Sequence, residues 1–278
     1  MRHMYNIRSF IKSFILFAFL CGLSVAGHQA YAATVISDPG VKEQIVSQAN
    51  ARYYSLTGKG GEMFQCHLTP DWHEIISGQL NIPPDVEARV IGLLNQIQFT
   101  LALAADGKMS LSHTDAQADN PEQAHGLQQI YGGMEQMVSG FFGTWQMLMV
   151  TTPFPKPDSD YTLTAGPDDY SIDYMDSDVH TVLKMDKAYV ISSIDMVTSA
   201  YKSRLEPQFS ASPNGLVLTG YHATYDSGAE AEATDLTVHI NNQSIGNAVL
   251  PSDMHLEGSY GGHAFAVTVR FSDCQVAH

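Results

Sequence analysis

The chain has 278 residues, 44% of them hydrophobic and 15% charged, which is enough to bury a sizeable core and too apolar for a disordered polymer. Its 29 acidic side chains outnumber 14 basic ones, a formal charge of −15. That balance excludes the basic surface on which a nucleic-acid binder displaces phosphate counterions.

Residues 1–32 read as a secretory signal peptide. Arg2, Arg8 and Lys12 precede an apolar run from Phe14 to Ala26, and Ala30-Tyr31-Ala32 is a small-x-small cleavage signal. The run is short for a membrane span, although an uncleaved anchor helix is the alternative. Cys21 follows the bulky Leu20, which does not suit lipoprotein processing. Cleavage removes positive charge and no negative charge, and no later stretch has the apolar length of a span. The expectation is an exported, soluble, periplasmic protein, with full secretion as the alternative. Cys66 and Cys274 survive cleavage. An even pair in an oxidising compartment reads as a disulfide, and closing so long a loop contributes at most about 5 kcal/mol.

Past the leader, 33–278 reads as one domain, helix-rich over 33–150 and an antiparallel meander over 160–276. Asp38-Pro39 caps a helix carrying Val41, Ile45, Val46, Ala49 and Tyr53 at helical spacing, stopped by Gly58–Gly61. A strand is expected over 62–69, a short helix near Trp72 and another after Pro83-Pro84. The runs 98–105 and 108–115 flank Asp106-Gly107, a hairpin signal. Asn120-Pro121-Glu122-Gln123 opens a long amphipathic helix to about Met149. Gly132, Gly133, Gly140 and Gly143 interrupt it at a cost of roughly 1 kcal/mol each, to be explained by close packing or local pliancy. Thr151–Asp160, with three prolines, is a loop. From Tyr161 the period becomes two, giving seven to nine strands.

The fold class predicted is α+β: a curved antiparallel sheet, an incomplete β-barrel, wrapped around the helices that precede it, because an apolar sheet face must be covered or closed. In the C-terminal third, Gly246-Asn247-Ala248-Val249-Leu250-Pro251-Ser252 leads into a strand. A Gly-rich turn and Val267-Thr268-Val269-Arg270-Phe271-Ser272-Asp273-Cys274-Gln275-Val276 follow. This layout resembles the LolA-like half-barrel proteins of the lipoprotein-carrier superfamily, with Cys274 standing where an aromatic is usual. The resemblance implies a concave sheet, a helical lid and an apolar cavity for acyl chains or a lipidated protein. It transfers no contact residue.

The residues themselves supply the candidates. Met134, Met137, Phe141, Phe142, Trp145 and Met149 form a soft apolar stripe on the long helix and are the expected lid. Ile172, Tyr174, Leu216, Leu218, Leu236, Val238, Phe265 and Val267 are the expected cavity wall. Both sets also read as ordinary core at helical and strand spacing.

Catalytic and metal signatures are missing. There is no HExxH, CxxC or G-x-S-x-G. His222, His239, His255 and His263 sit on strands with differing parity. The cluster Asp168, Asp169, Asp173, Asp176 and Asp178 lacks calcium-loop spacing, and Trp72-His73-Glu74 has no nucleophile at readable spacing. The expected function is a non-catalytic envelope carrier of a lipid or lipid-modified partner, needing no cofactor and no metal. The alternatives are a structural or interaction module with a filled core and, third, a hydrolase using polar residues around His73 or the strand histidines.

Overall fold

The computed structural model describes residues 33–57, 63–77, 83–104, 107–156, 158–227, 233–260 and 262–277. The expected leader, the glycine run at 58–61 and Asp106 of the expected turn lie outside the described residues. In chain order the elements are β1 (Thr34–Ile36), α1 (Pro39–Asn50), β2 (Met63–Pro70), α2 (Trp72–Ser77), α3 (Pro84–Leu94), β3 (Phe99–Leu103), β4 (Met109–His113) and α4 (Pro121–Met149). Then come β5 (Tyr161–Ala165), β6 (Asp169–Asp176), β7 (Val179–Asp186), β8 (Ile191–Val197), β9 (Lys202–Ser212), β10 (Gly215–Asp226), β11 (Thr234–Ile245), β12 (Ala248–Tyr260) and β13 (His263–Ala277).

These strands make one antiparallel sheet of 13, in the order β1-β5-β6-β7-β8-β9-β10-β11-β12-β13-β2-β3-β4. The sheet is open, with β1 and β4 at its edges, and the protein is α+β. The strands β5–β13 pair in sequence order, as expected of a meander. The periodicity over 33–150 did not show that β1 extends this meander beside β5 and that β2, β3 and β4 extend it beside β13.

Local chemistry sets the helix boundaries. Asp38 Oδ1 accepts from the N–H groups of Gly40 and Val41 at 2.8 and 3.1 Å, which starts α1. The helix stops at Asn50, short of Tyr53, which the apolar periodicity had included. Tyr53 is drawn out of the helix because its hydroxyl accepts from Ile191 N at 2.7 Å and donates to Tyr189 O at 2.8 Å. On α4, Asn120 Oδ1 accepts from Gln123 N at 2.9 Å while Gln123 Oε1 accepts from Asp119 N at 2.6 Å. The resulting reciprocal cap launches a 29-residue helix ending at Met149.

The inner face of the sheet packs on α4. Phe142 and Trp145 are fully buried, their rings 5.7 Å from Phe271 of β13 and 5.9 Å from Phe64 of β2 respectively. Met149 Sδ accepts from Leu218 N of β10 at 3.3 Å. Nearer the start of α4, Tyr131 stacks on His113 of β4 at 3.8 Å between ring centroids.

Cys66 and Cys274 form a disulfide, with Cα atoms 4.1 Å apart and 208 residues between them in sequence. It joins β2 to β13. A bulge between Ser272 and Gln275, with Asp273 at φ 50°, interrupts the ladder at Cys274. Reduction, or the double substitution C66S/C274S, should lower unfolding free energy in urea by up to about 5 kcal/mol. Two alkylatable thiols in the unreduced protein would contradict this assignment.

The glycines of the β10–β12 ladder and those of α4 differ physically. A Cβ on Gly220 of β10 would stand 2.4 Å from the Val238 carbonyl oxygen, and one on Gly258 of β12 would stand 2.2 Å from that of Asp235. Backbone on both sides of β11 therefore approaches too closely for any side chain. A Cβ on Gly132, Gly133, Gly140 or Gly143 of α4 meets nothing within 4 Å, so close packing does not explain them. Gly220→Ala and Gly258→Ala should each destabilise by about 2 kcal/mol or more. Gly132→Ala and Gly143→Ala should stabilise by up to about 1 kcal/mol. Urea unfolding of the four variants distinguishes the classes.

Candidate functional site

Strand register builds the floor of a cleft. On the inner face, Tyr221 pairs with Val238, Val238 with Leu256, and Leu256 with Val267; the next row runs Ala223, Leu236, Gly258, Phe265, and the last Tyr225, Thr234, Tyr260, and all of these but Val238, Ala223 and Gly258 line the cleft. Gly258 leaves a gap in the middle row between Leu236 and Phe265. Above the floor lies the flank of α4 that carries Ile130, Gly133, Met134, Met137, Gly140 and Phe141. Trp72 and Ile75 of α2 close a third side. Asp71 holds that helix in place, its N–H donating to Thr268 O at 2.8 Å and its carboxylate capping Glu74 N at 3.1 Å.

The cleft has a volume of about 610 Å³, within the range of small-molecule sites. Among the described residues its lining contains no Asp, Glu, Lys, Arg, His or Cys. The polar side-chain groups in the lining are Gln136, Thr234, the tyrosine hydroxyls and the Trp72 indole N–H. Burial pushes the phenols of Tyr221 and Tyr225 above their ordinary value, and both are hydrogen-bond partners of the Thr144 side chain on α4. Tyr260 is 54% exposed and marks the mouth. With no acid–base or nucleophilic pair in its lining, this surface can bury an apolar body and offer hydroxyls at its rim.

The structure distributes the expected site residues unevenly. Met134, Met137, Phe141, Leu236, Phe265 and Val267 come together in the cleft. Phe142, Trp145, Met149, Ile172, Leu218 and Val238 are fully buried core and line no cleft described here. Leu216 sits beside α1's end, its N–H donating to Arg52 O at 2.8 Å. Tyr174 lies in a different cleft at the C-terminal end of α4, where its hydroxyl donates to Pro153 O at 2.6 Å. Sequence reasoning missed Trp72, Ile75, Tyr221, Tyr225, Leu256 and Tyr260. The alternation Tyr221-Ala223-Tyr225 carried a signal for two of them; the approach of α2 carried none.

Of the strand histidines singled out from sequence, His222, His239 and His255 occupy the outer face, whereas His263 pairs with Tyr260 and shares its face. His222 Nε2 lies 2.9 Å from Asp235 Oδ1 and its Nδ1 lies 3.5 Å from Glu206 Oε2, while Arg204 reaches Glu206 and Asp195 at 2.9 and 3.2 Å. His255 is 2.9 Å from Thr268 Oγ1, and exposed His73 is 3.7 Å from Glu87. Among the described residues no group of three or more His, Cys, Asp or Glu is placed to hold a metal ion.

Comparison of the chain with protein-family models, curated proteins and solved structures finds no match, so the chemistry of the cleft itself carries the functional reading.

The His222 cluster makes stability depend on pH. The Asp235 hydrogen bond, aided by Glu206, raises the His222 pKa above 6.5. Its contribution is complete below that value and is lost as pH rises through the folded-state pKa. The Arg204 hydrogen bond lowers the Glu206 pKa below 4.5, so that contribution is present above 4.5 and is lost as pH falls through the folded-state value. The cluster should stabilise most between the two ordinary values. His222→Asn should flatten the alkaline side of a melting-temperature profile, and an unchanged profile would contradict the pairing.

Proposed function

We propose that this chain is an exported, non-catalytic carrier that buries an acyl chain of a lipid or a lipid-modified protein between α4 and β10–β13, in the manner of the LolA-like half-barrel proteins it resembles. In this reading the sheet curves around α4 as an incomplete barrel, and α4 is the lid. The observation that carries the proposal is the cleft of about 610 Å³ with no charged side chain among the described residues of its lining. Each methylene moved from water into such a site contributes roughly 0.8 kcal/mol, so part of a chain suffices for micromolar binding. Methionines 134 and 137 suit a ligand of variable shape. Gly133 and Gly140 keep the helix wall open, because any side chain there would project into unfilled space.

Export is supported by the basic-apolar-small pattern of residues 1–32 and by the Cys66–Cys274 disulfide, which persists in oxidising compartments. No helix among the described residues is long and apolar enough to cross a membrane. Release would require α4 to shift, and the pliancy of its unpacked glycines favours that.

The complete burial of Phe142, Trp145 and Met149 favours a second reading, an envelope module whose core is already filled. Displacement of a fluorescent fatty acid by palmitate separates the two. The carrier binds the probe at micromolar concentration, and Gly140→Phe, which fills the cleft from a site with no crowding, weakens binding by about tenfold or more. A protein that neither takes up the probe nor retains lipid in native mass spectra is the filled module.

A further inference from the structure

The open sheet has two dissimilar edges. At one end lies β1, three residues long, and so short an edge strand offers little template to another chain. At the other lies β4, Met109–His113, which carries no Lys, Arg, Asp, Glu or Pro. Its pairing with β3 runs without a bulge from Leu103–Met109 to Phe99–His113. Charge, proline and bulge, the devices that blunt an edge of this length, are all missing from β4.

Ladder register fixes which backbone groups face outward. Ala104 N donates to Lys108 O at 2.9 Å, and Thr114 N donates to Gln98 O at 3.0 Å. Hydrogen-bonded pairs alternate along an antiparallel ladder, so Lys108, Ser110, Ser112 and Thr114 turn their backbone groups toward β3. Met109, Leu111 and His113 turn theirs toward the open edge. The side chains of these three share the inner face with Phe99, Leu101 and Leu103, which are buried. Met109 and Leu111 are only half-buried, so the apolar row of the inner face stops at β4 with one side open to water.

We infer that β4 is a self-association edge, on which a second copy of this chain pairs antiparallel about a two-fold axis at Leu111. That register uses every outward-facing group of the strand. Leu111 meets Leu111 of the second copy, Met109 meets its His113, and symmetry repeats the contact. The two inner-face apolar rows then join across the axis. Charge is complementary at both strand ends. The pairing sets exposed Lys108 opposite Thr114 of the second copy, one residue from its Asp115, whose side chain is 87% exposed. The chain as a whole carries −15 and repels its copy over most of the surface, whereas this edge is neutral with a cation at one end and an anion at the other. A closed two-fold consumes the edge, so association stops at two copies. The inference is independent of what the cleft beneath α4 holds.

Sedimentation velocity of the native protein and four variants tests this. A monomer–dimer equilibrium is expected between about 1 and 100 µM. At low ionic strength Lys108→Asp and Asp115→Lys should each weaken dimerisation by about tenfold or more, because both attractive contacts of the dimer become repulsive. The double variant, Lys108→Asp with Asp115→Lys, should regain the native affinity. Val35→Lys, on the β1 edge, should leave the equilibrium unchanged. A native protein that stays monomeric throughout overturns the inference. So does a dimer indifferent to both single charge substitutions, unrescued by the double, or dissociated by Val35→Lys. Mass that grows past two copies overturns the closed pairing as well.

Discussion

The burial of the aromatic face of α4 against β2, β10 and β13 is the interaction on which the rest of the molecule depends. Phe142, Trp145 and Met149 lose all contact with solvent there, and truncating one such side chain costs about 3–5 kcal/mol. Their packing pins the C-terminal half of the helix to the sheet. The adjoining flank, carrying Ile130, Met137 and the two glycines, then stands over β10–β13 without filling the space beneath it. One helix therefore serves both as the core of the fold and as the wall of the cleft, and its sequence divides these tasks by face. Aromatic residues hold it, and methionine and glycine line the opening.

That division explains which parts of the site were legible from sequence. Helical spacing placed Met134, Met137 and Phe141 on an apolar stripe, and strand alternation placed Leu236, Phe265 and Val267 on an inner face. All six line the cleft. The same spacing selected Phe142, Trp145, Leu218 and Val238, which are plain core. Periodicity reports that a side chain faces inward; whether it meets a neighbour or a void depends on how closely two elements approach. Trp72 and Ile75 enter the cleft wall only because Asp71 anchors α2 on β13, a tertiary contact with no local signature.

The fold was legible to a similar depth. The meander after Tyr161, the cap at Asn120 and the disulfide partners follow from turn chemistry, capping and cysteine count. Where the sheet ends does not, because β1 and β2 pair with strands far along the chain. Tyr53 continues the apolar pattern of α1 and yet leaves the helix, since hydrogen bonds to the turn before β8 outweigh local periodicity. The glycines mislead in the opposite direction. Those of α4 suggested close packing or local pliancy, and the close packing is absent, whereas Gly220 and Gly258, inconspicuous in strand sequence, sit where β11 leaves no room for a Cβ.

The account's central claim is that an acyl chain occupies the space between α4 and β10–β13. Photo-crosslinking with a diazirine-bearing fatty acid, followed by peptide mapping, tests it most directly. The account predicts adducts concentrated on Ile130–Phe141 and on the inner-face residues of β11–β13. Adducts confined to exposed apolar residues remote from the cleft, such as Val35 and Val41, would contradict it.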